Sequence, residues 1–260
     1  MTPDALTVEI RARTYWEAID LGLTLVQAHW RNLYAAWFSV VLPVAFLALA
    51  LAYLLNRHGN NWYGLFLLWW LKPLYDRALL HVLSRAVFGE TVNGRGVLSA
   101  IPNLLWRSGL FRALTWGRFS PRRSFKLPIW QLEGVTGQAR RLRLRVLKGR
   151  GAVRLFIVCS TFETILLFGM LGLLFMMLPP ETLLPHIDSL SGFLAADNVP
   201  FWFEAAYGFV YLLAISVIEP FYAAAGFALY LNRRTELEGW DIELGFRTLA
   251  ARLKDQKALS

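Results

Sequence analysis

Six ionisable side chains stand in stretches of this sequence that are otherwise apolar: Lys72, Asp76, Arg77, His81, Glu163 and Glu219. Inside a bilayer such groups are costly and face a partner or water rather than lipid. Lys72 and Asp76 lie four residues apart, and Arg77, His81 and Arg85 repeat that spacing, so two charged stripes run along one helix. Acids and bases at one depth can pair and hold a helix bundle in a single register. The same groups can instead line a solvated route for a proton, an ion or a polar headgroup. Acid–base chemistry within the membrane would run through His81 with Asp76 or Arg77. Periodicity does not separate these readings.

Other chemistries find no footing in the pattern. His29, His58, His81 and His186 are scattered without metal-ligand spacing, and Cys159 is the sole cysteine, in an apolar run. No HExxH, GxSxG, P-loop or dinucleotide fingerprint occurs. The reading is therefore of a protein without catalytic residues, metal or cofactor.

The elements that must position the charges are membrane helices. Hydrophobic residues make up 56% of the 260, charged residues only 17%, where a soluble domain carries about 25%. Asn32 to Asn56 is uncharged for 25 residues, long enough to span with some tilt, with a kink expected at Pro43. Trp62 to Gly89 reads as a second crossing that carries Lys72, Asp76 and Arg77 into the bilayer. The hydrophilic turn Asn56–Asn61 makes the two an antiparallel hairpin. Leu155 to Pro179, interrupted by Glu163, and Phe201 to Leu231, containing Glu204 and Glu219-Pro220, form a second hairpin. Ala224 and Ala228 have the spacing of close helix contact. At 1.5 Å per residue, Glu163, Asp76, Glu219 and Lys72 lie roughly 14, 18, 20 and 24 Å from the cytoplasmic helix ends, and pairing of Lys72 or Arg77 with Glu219 and Glu163, bridged by Asp76, is expected.

Flanking segments set the orientation. Residues 1–13 have no signal-peptide pattern, so the N-terminus is expected to be retained. Thr14 with Glu17 fits a capping box, and Trp16, Ile19, Leu23, Val26 and Trp30 mark a lead-in helix suited either to the membrane interface or to packing on the bundle. Residues 89–153 hold thirteen Lys and Arg against Glu90 and Glu133, which places them in the cytoplasm. Within them Asn103 to Arg118 reads as a surface-lying stretch. Arg140, Arg141, Arg143, Arg145, Lys148 and Arg150, interleaved with leucine and valine, suit anionic lipid headgroups. Nucleic acid is disfavoured because no recognition module accompanies that run. Pro180 to Pro200, with Glu181, Asp188 and Asp197 and no Lys or Arg, belongs on the other side. Ile242, Phe246, Leu249 and Leu253 mark a last amphipathic helix.

Lys72-Pro73-Leu74-Tyr75 and Glu219-Pro220-Phe221-Tyr222 share a charge-Pro-apolar-Tyr pattern, one in each hairpin. A duplicated hairpin would make Lys72 and Glu219 equivalent positions of opposite charge, favouring their pairing.

Glu219-Pro220-Phe221-Tyr222, Leu229 to Arg234, Glu236 and Glu238 to Leu244, together with Trp30-Arg31-Asn32, resemble bacterial multipass proteins of the glycerophosphodiester phosphodiesterase membrane-domain and YciC-like type. The resemblance covers residues 14–90 and 200–253, and Arg123-Ser124-Phe125 and Pro128 to Gly134 look particular to a subgroup. It implies a membrane part alone, since the phosphodiesterase barrel with its His, Glu and Asp metal site has no counterpart in this chain.

The expected fold is thus an all-α polytopic bundle of about four transmembrane helices in two hairpins plus interfacial amphipathic helices, one membrane domain over 1–260. It divides into a lead-in (1–31), hairpin one (32–88), a basic cytoplasmic segment (89–153), hairpin two (154–231) and a cytoplasmic C-terminal helix (232–260). Both termini face the cytoplasm of a bacterial inner membrane. The expected function is an accessory or scaffold protein docking other membrane proteins or anionic lipid on the basic face. The alternative is a transporter or lipid-handling protein using the charge cluster, and four helices are few for a transporter, so that reading calls for a homo-oligomer.

Overall fold

A computed structural model describes residues 11–56, 63–87, 89, 90, 92, 94–107, 114, 115, 117–149, 151–177 and 201–239. Every regular element among them is helical: α1 (Tyr15–Ala28), α2 (Trp30–Asn56), α3 (Tyr63–Trp70), α4 (Lys72–Ala86), α5 (Gly94–Arg107), α6 (Arg123–Gln131), α7 (Gly137–Leu147), α8 (Ala152–Met177) and α9 (Phe201–Glu238). Three helices are long and apolar enough to cross a membrane, over Trp30–Leu54, Ala152–Met177 and Ala205–Leu237. The turn at 57–62, the acidic stretch 178–200 and the amphipathic segment after 240 lie outside the described residues.

Between Trp62 and Gly89 the chain forms two helices rather than the single crossing helix expected. Pro73 sits in the first turn of α4, where it has no N–H to give and its ring would crowd the carbonyl four residues back. Leu71 takes the joint, with φ −83° and ψ 4°, and the Leu74 amide donates to the Leu71 carbonyl in a tighter turn. The pair still runs antiparallel to α2. Gly64 meets the Ala48 carbonyl and Ala52, and eleven residues further on Tyr75 packs edge-on against Trp37 at 5.4 Å. Trp37 Nε1 also donates to Ser216 Oγ on α9 at 2.9 Å, which ties α2, α4 and α9 at one level.

α9 is the axis of the molecule. Its 38 residues reach about 57 Å, nearly twice a hydrocarbon core of roughly 30 Å. Every residue from Tyr222 to Tyr230 is buried, under α1, α6, α7 and α8. Towards the other end Phe209, Leu213 and Val217 are exposed, level with a belt that includes Phe46 and Leu47 on α2 and Phe162, Ile165 and Phe168 on α8. An exposed belt this apolar is the surface a bilayer covers, while the enclosed stretch of α9 forms a platform at the belt's edge.

α1 starts with the expected capping box: the Glu17 amide donates to Thr14 Oγ1 at 3.4 Å and the Thr14 amide to Glu17 Oε2 at 3.0 Å. It packs on α9 through its smaller residues. Ala18, Gly22, Leu25 and Val26 turn inward, whereas Trp16, Leu23 and Trp30 are exposed. Small residues win the buried face because a Cβ on Gly22 would sit 2.5 Å from Ala225 Cα, closer than side chains tolerate. The tryptophans are left outward, where their amphipathic rings suit a membrane interface.

Candidate functional site

Five charges from four helices form a chain of alternating sign. Lys72 Nζ pairs with Glu163 Oε1 on α8 and lies 3.2 Å from Glu219 Oε2 on α9. Arg123, the first residue of α6, pairs through Nη2 with Glu219 Oε1 and through Nε with Asp76 Oδ2 at 2.7 Å. Glu219 is therefore the centre, holding one cation from each neighbouring element. Asp76 and Glu219 are almost wholly enclosed, at 0% and 2% exposure, and Glu163 is the most open of the three acids at 18%.

The sequence explains how these atoms meet. Lys72 and Asp76 lie one turn apart at the start of α4, so the same face of that helix offers a cation to α8 and α9 and an anion to α6. Glu219 precedes Pro220 on α9, and α9 and α8 run antiparallel here, with Phe156 edge-on to Tyr222 at 6.4 Å. The repeat noted in the sequence brings Lys72 to Glu219, and its two tyrosines buttress the ends: Tyr75 against Trp37, Tyr222 beneath the Arg123 guanidinium at 5.3 Å.

Two further sequence-predicted residues follow on α4. Arg77 is fully buried next to Asp76 in the chain, and its Nη1 donates to the Pro73 carbonyl at 3.2 Å. His81 is half-buried one turn further along α4, and its carbonyl accepts from Ser84. Arg85, third in that stripe, is exposed and 3.7 Å from Glu90.

Arg118 and Arg123 fall in the segment expected to be basic and cytoplasmic, yet both side chains are largely enclosed. Arg118 is 8% exposed, and its guanidinium carbon lies over the Trp69 ring, 4.0 Å from its centre. α6 is sunk into the molecule, with Ser124, Phe125, Leu127, Pro128 and Ile129 buried, and Ser124 rests against Gly226 of α9, where a larger residue would not fit. No local signal in the sequence singles these two out from the other cations of residues 89–153. Together with Lys72 they bring three cations to the carboxylates of Glu163, Glu219 and Asp76.

Beside the network lies a cavity of about 340 Å³. Lys72, Arg118, Arg123, Glu163 and Glu219 line it, together with Cys159, Ser160 and Thr164 of α8 and the aromatic rings of Trp69, Phe119, Phe156 and Tyr222. Phe119 is 71% exposed and Phe156 and Trp69 are partly so, so the opening is aromatic and faces the side of the bundle. A second cavity of about 380 Å³, between α2, α3 and α9, is lined by apolar side chains and glycine alone.

The basic run on α7 divides between internal and external roles. Arg143 forks onto Glu133, Nε to Oε2 at 2.7 Å and Nη2 to Oε1 at 3.0 Å, and Tyr230 Oη donates to the same carboxylate at 2.7 Å. Arg140 covers the Trp130 ring at 5.3 Å. These two clamp α7 to the platform and are not free for headgroups. Arg141, Arg145 and Lys148 are exposed beside exposed Leu142 and Val146, and the Arg150 side chain lies outside the described residues. Arg122, Lys126, Arg145 and Lys148 line a cleft of about 570 Å³. Burial, then the cations Arg122 and Arg140, push the Lys126 ammonium below its usual range, while it donates to Ser120 Oγ at 2.7 Å.

No group of three or more metal-ligating side chains occurs among the described residues. Comparison of the chain with family models, with curated proteins and with solved structures returns no match.

Proposed function

We propose that this is a four-crossing protein of a bacterial inner membrane, with α3 and α4 together making the fourth crossing and both termini in the cytoplasm, and that it binds a polar lipid headgroup in the side-open charged cavity. The observation that carries this reading is the cavity itself. It has five charged side chains in its wall and aromatic rings at a mouth level with the apolar belt. A headgroup entering from the membrane would keep its acyl chains among Phe119, Phe156 and Trp69 while its polar part reaches the charges. Lys72, Asp76, Arg123 and Glu219 make their ion pairs with one another, which suits positioning and binding better than proton transfer.

Native mass spectrometry of the full chain purified in mild detergent tests this. The wild type is expected to retain a phospholipid, and Ser160→Phe, which places a ring in the cavity from α8, is expected to lose it at unchanged oligomeric state. Equal retention by both proteins would contradict the reading.

A second reading has its own observation: the cleft between α6 and α7 carries four cations in its lining, and Leu142 and Val146 of α7 are exposed. That face suits anionic headgroups or an acidic partner protein at the cytoplasmic surface, the docking role expected from the sequence.

A further inference from the structure

We infer that the side-open cavity takes a phospholipid of one net negative charge, its phosphodiester held by Arg118. This rests on the proposed function and names the headgroup class that the same site would take.

Arg118 is the donor with capacity to spare. Lys72 pairs with Glu163 and Glu219, and Arg123 with Glu219 and Asp76. The neighbour of Arg118 is instead an aromatic ring, that of Trp69, 4.0 Å from the guanidinium carbon to the ring centre. Arg118 is more than nine-tenths buried and lines the cavity, and its Nε meets no hydrogen-bond partner among the described residues. A buried donor left without an acceptor is costly, so the site favours a ligand that brings one. A guanidinium presents paired N–H donors that match two oxygens of a phosphodiester.

The charge around Arg118 has the sign such a ligand needs. Lys72, Arg118 and Arg123 line the cavity against Glu163 and Glu219, an excess of one cation. Asp76 and Arg77, consecutive on α4 and both fully buried, are outside the lining and offset one another. With every group ionised, the wall and the wider cluster of described residues therefore carry the same single positive charge. An uncompensated charge in a low-dielectric site is expensive, and one phosphodiester cancels it. A zwitterionic headgroup carries an ammonium in with its phosphate and leaves the excess where it was. The wall carboxylates do not oppose the anion as free charges would, because Lys72 engages both and Arg123 engages Glu219 as well.

The mouth argues for a lipid over a free ion. Phe119 is 71% exposed there, beside Phe156 and Trp69, and these rings give acyl chains an apolar surface level with the belt.

Native mass spectrometry of the delipidated full chain in mild detergent tests the inference, with phosphatidylglycerol and phosphatidylethanolamine of matched acyl chains titrated in turn. Phosphatidylglycerol is expected to bind about tenfold more tightly. Arg118→Gln removes the excess cation together with its paired donors, and is expected to bring phosphatidylglycerol down to the level of phosphatidylethanolamine. Arg118→Lys keeps the charge and is expected to retain part of the preference. The wild-type comparison decides even where a variant does not fold. Equal or tighter binding of phosphatidylethanolamine by the wild type, still lost in Ser160→Phe, would overturn the inference and leave the headgroup reading standing. Displacement of phosphatidylglycerol by an equal concentration of inorganic phosphate would overturn it in favour of a free anion. A preference that survives Arg118→Gln and falls when Arg145→Gln is combined with Lys148→Gln would also overturn it, because the anionic lipid would then sit on α7. Binding of neither lipid, or binding of both unchanged in Ser160→Phe, would remove the proposed function itself.

Discussion

Replacing Glu219 with glutamine will lower the stability of the folded chain in detergent by about 3–5 kcal/mol, the cost of breaking a buried ion pair from one side. Glu219 neutralises Lys72 and Arg123 together, so its loss leaves two enclosed cations with Asp76 and the more open Glu163. Thermal unfolding followed by size-exclusion chromatography would show the loss as a lowered midpoint. A balanced removal separates this from a general intolerance of change. Lys72→Met with Glu163→Gln deletes one charge of each sign and leaves the Asp76–Arg123–Glu219 run intact. That pair should lose less than the sum of its single variants, with a coupling of about 0.5–3 kcal/mol. Strict additivity would mean that the charges are solvated and act independently.

Arg123→Ala will cost a similar amount, about 3–5 kcal/mol, and by a different route. Its guanidinium is what holds the start of α6 to α4 and α9, through Asp76 at 2.7 Å and Glu219. Arg123→Lys should recover little, because an ammonium cannot reach two carboxylates with the directed fork that Nε and Nη2 provide. Arg123→Gln combined with Asp76→Asn should recover more, since it removes a charge of each sign and leaves side chains that can hydrogen-bond. Limited proteolysis is the second readout: release of α6 in the alanine variant should expose bonds around residues 120–136 that resist cleavage in the wild type. A wild-type cleavage pattern together with an unchanged melting midpoint would show that α6 is held without the ion pairs.

The long apolar helices were legible because hydrophobic length and the absence of charge are local properties of a sequence. Asn32 to Asn56 and the helix around Glu163 could be read residue by residue, and the depth count placed Lys72, Asp76, Glu163 and Glu219 close enough to meet. The joint at Leu71 was not read, although Pro73 announces it, because a run of tryptophan and leucine on one side and alanine, leucine and valine on the other continues the apolar pattern through the break. Arg123 was hidden for the opposite reason. Thirteen cations in residues 89–153 give a strong signal for the cytoplasm, and a sum over the segment says nothing about which of them turns inward. Only the tertiary contact of Ser124 with Gly226 and of α6 with α9 selects it. Arg140 and Arg143 show the same limit, since their partners Trp130 and Glu133 lie in the preceding helix and turn.

The packed face of α1 was not legible in its periodicity, which weights tryptophan and leucine and marked Trp16, Ile19, Leu23, Val26 and Trp30 as one stripe, for the membrane interface or for the bundle. The contact with α9 is instead made where the backbones come closest, and there Gly22 opposite Ala224 and Ala225 matters more than hydrophobic bulk.

The most direct test of the account is photocrosslinking with a phospholipid that carries a diazirine on its headgroup, applied to the full chain in vesicles, with the labelled peptides mapped by mass spectrometry. The account predicts label on the Arg118–Phe119 turn and on α8 between Phe156 and Thr164, reduced when Ser160→Phe fills the cavity. Label confined to α7, around Arg141, Arg145 and Lys148, with none in the cavity wall, would contradict it and leave the basic platform as the lipid-facing surface.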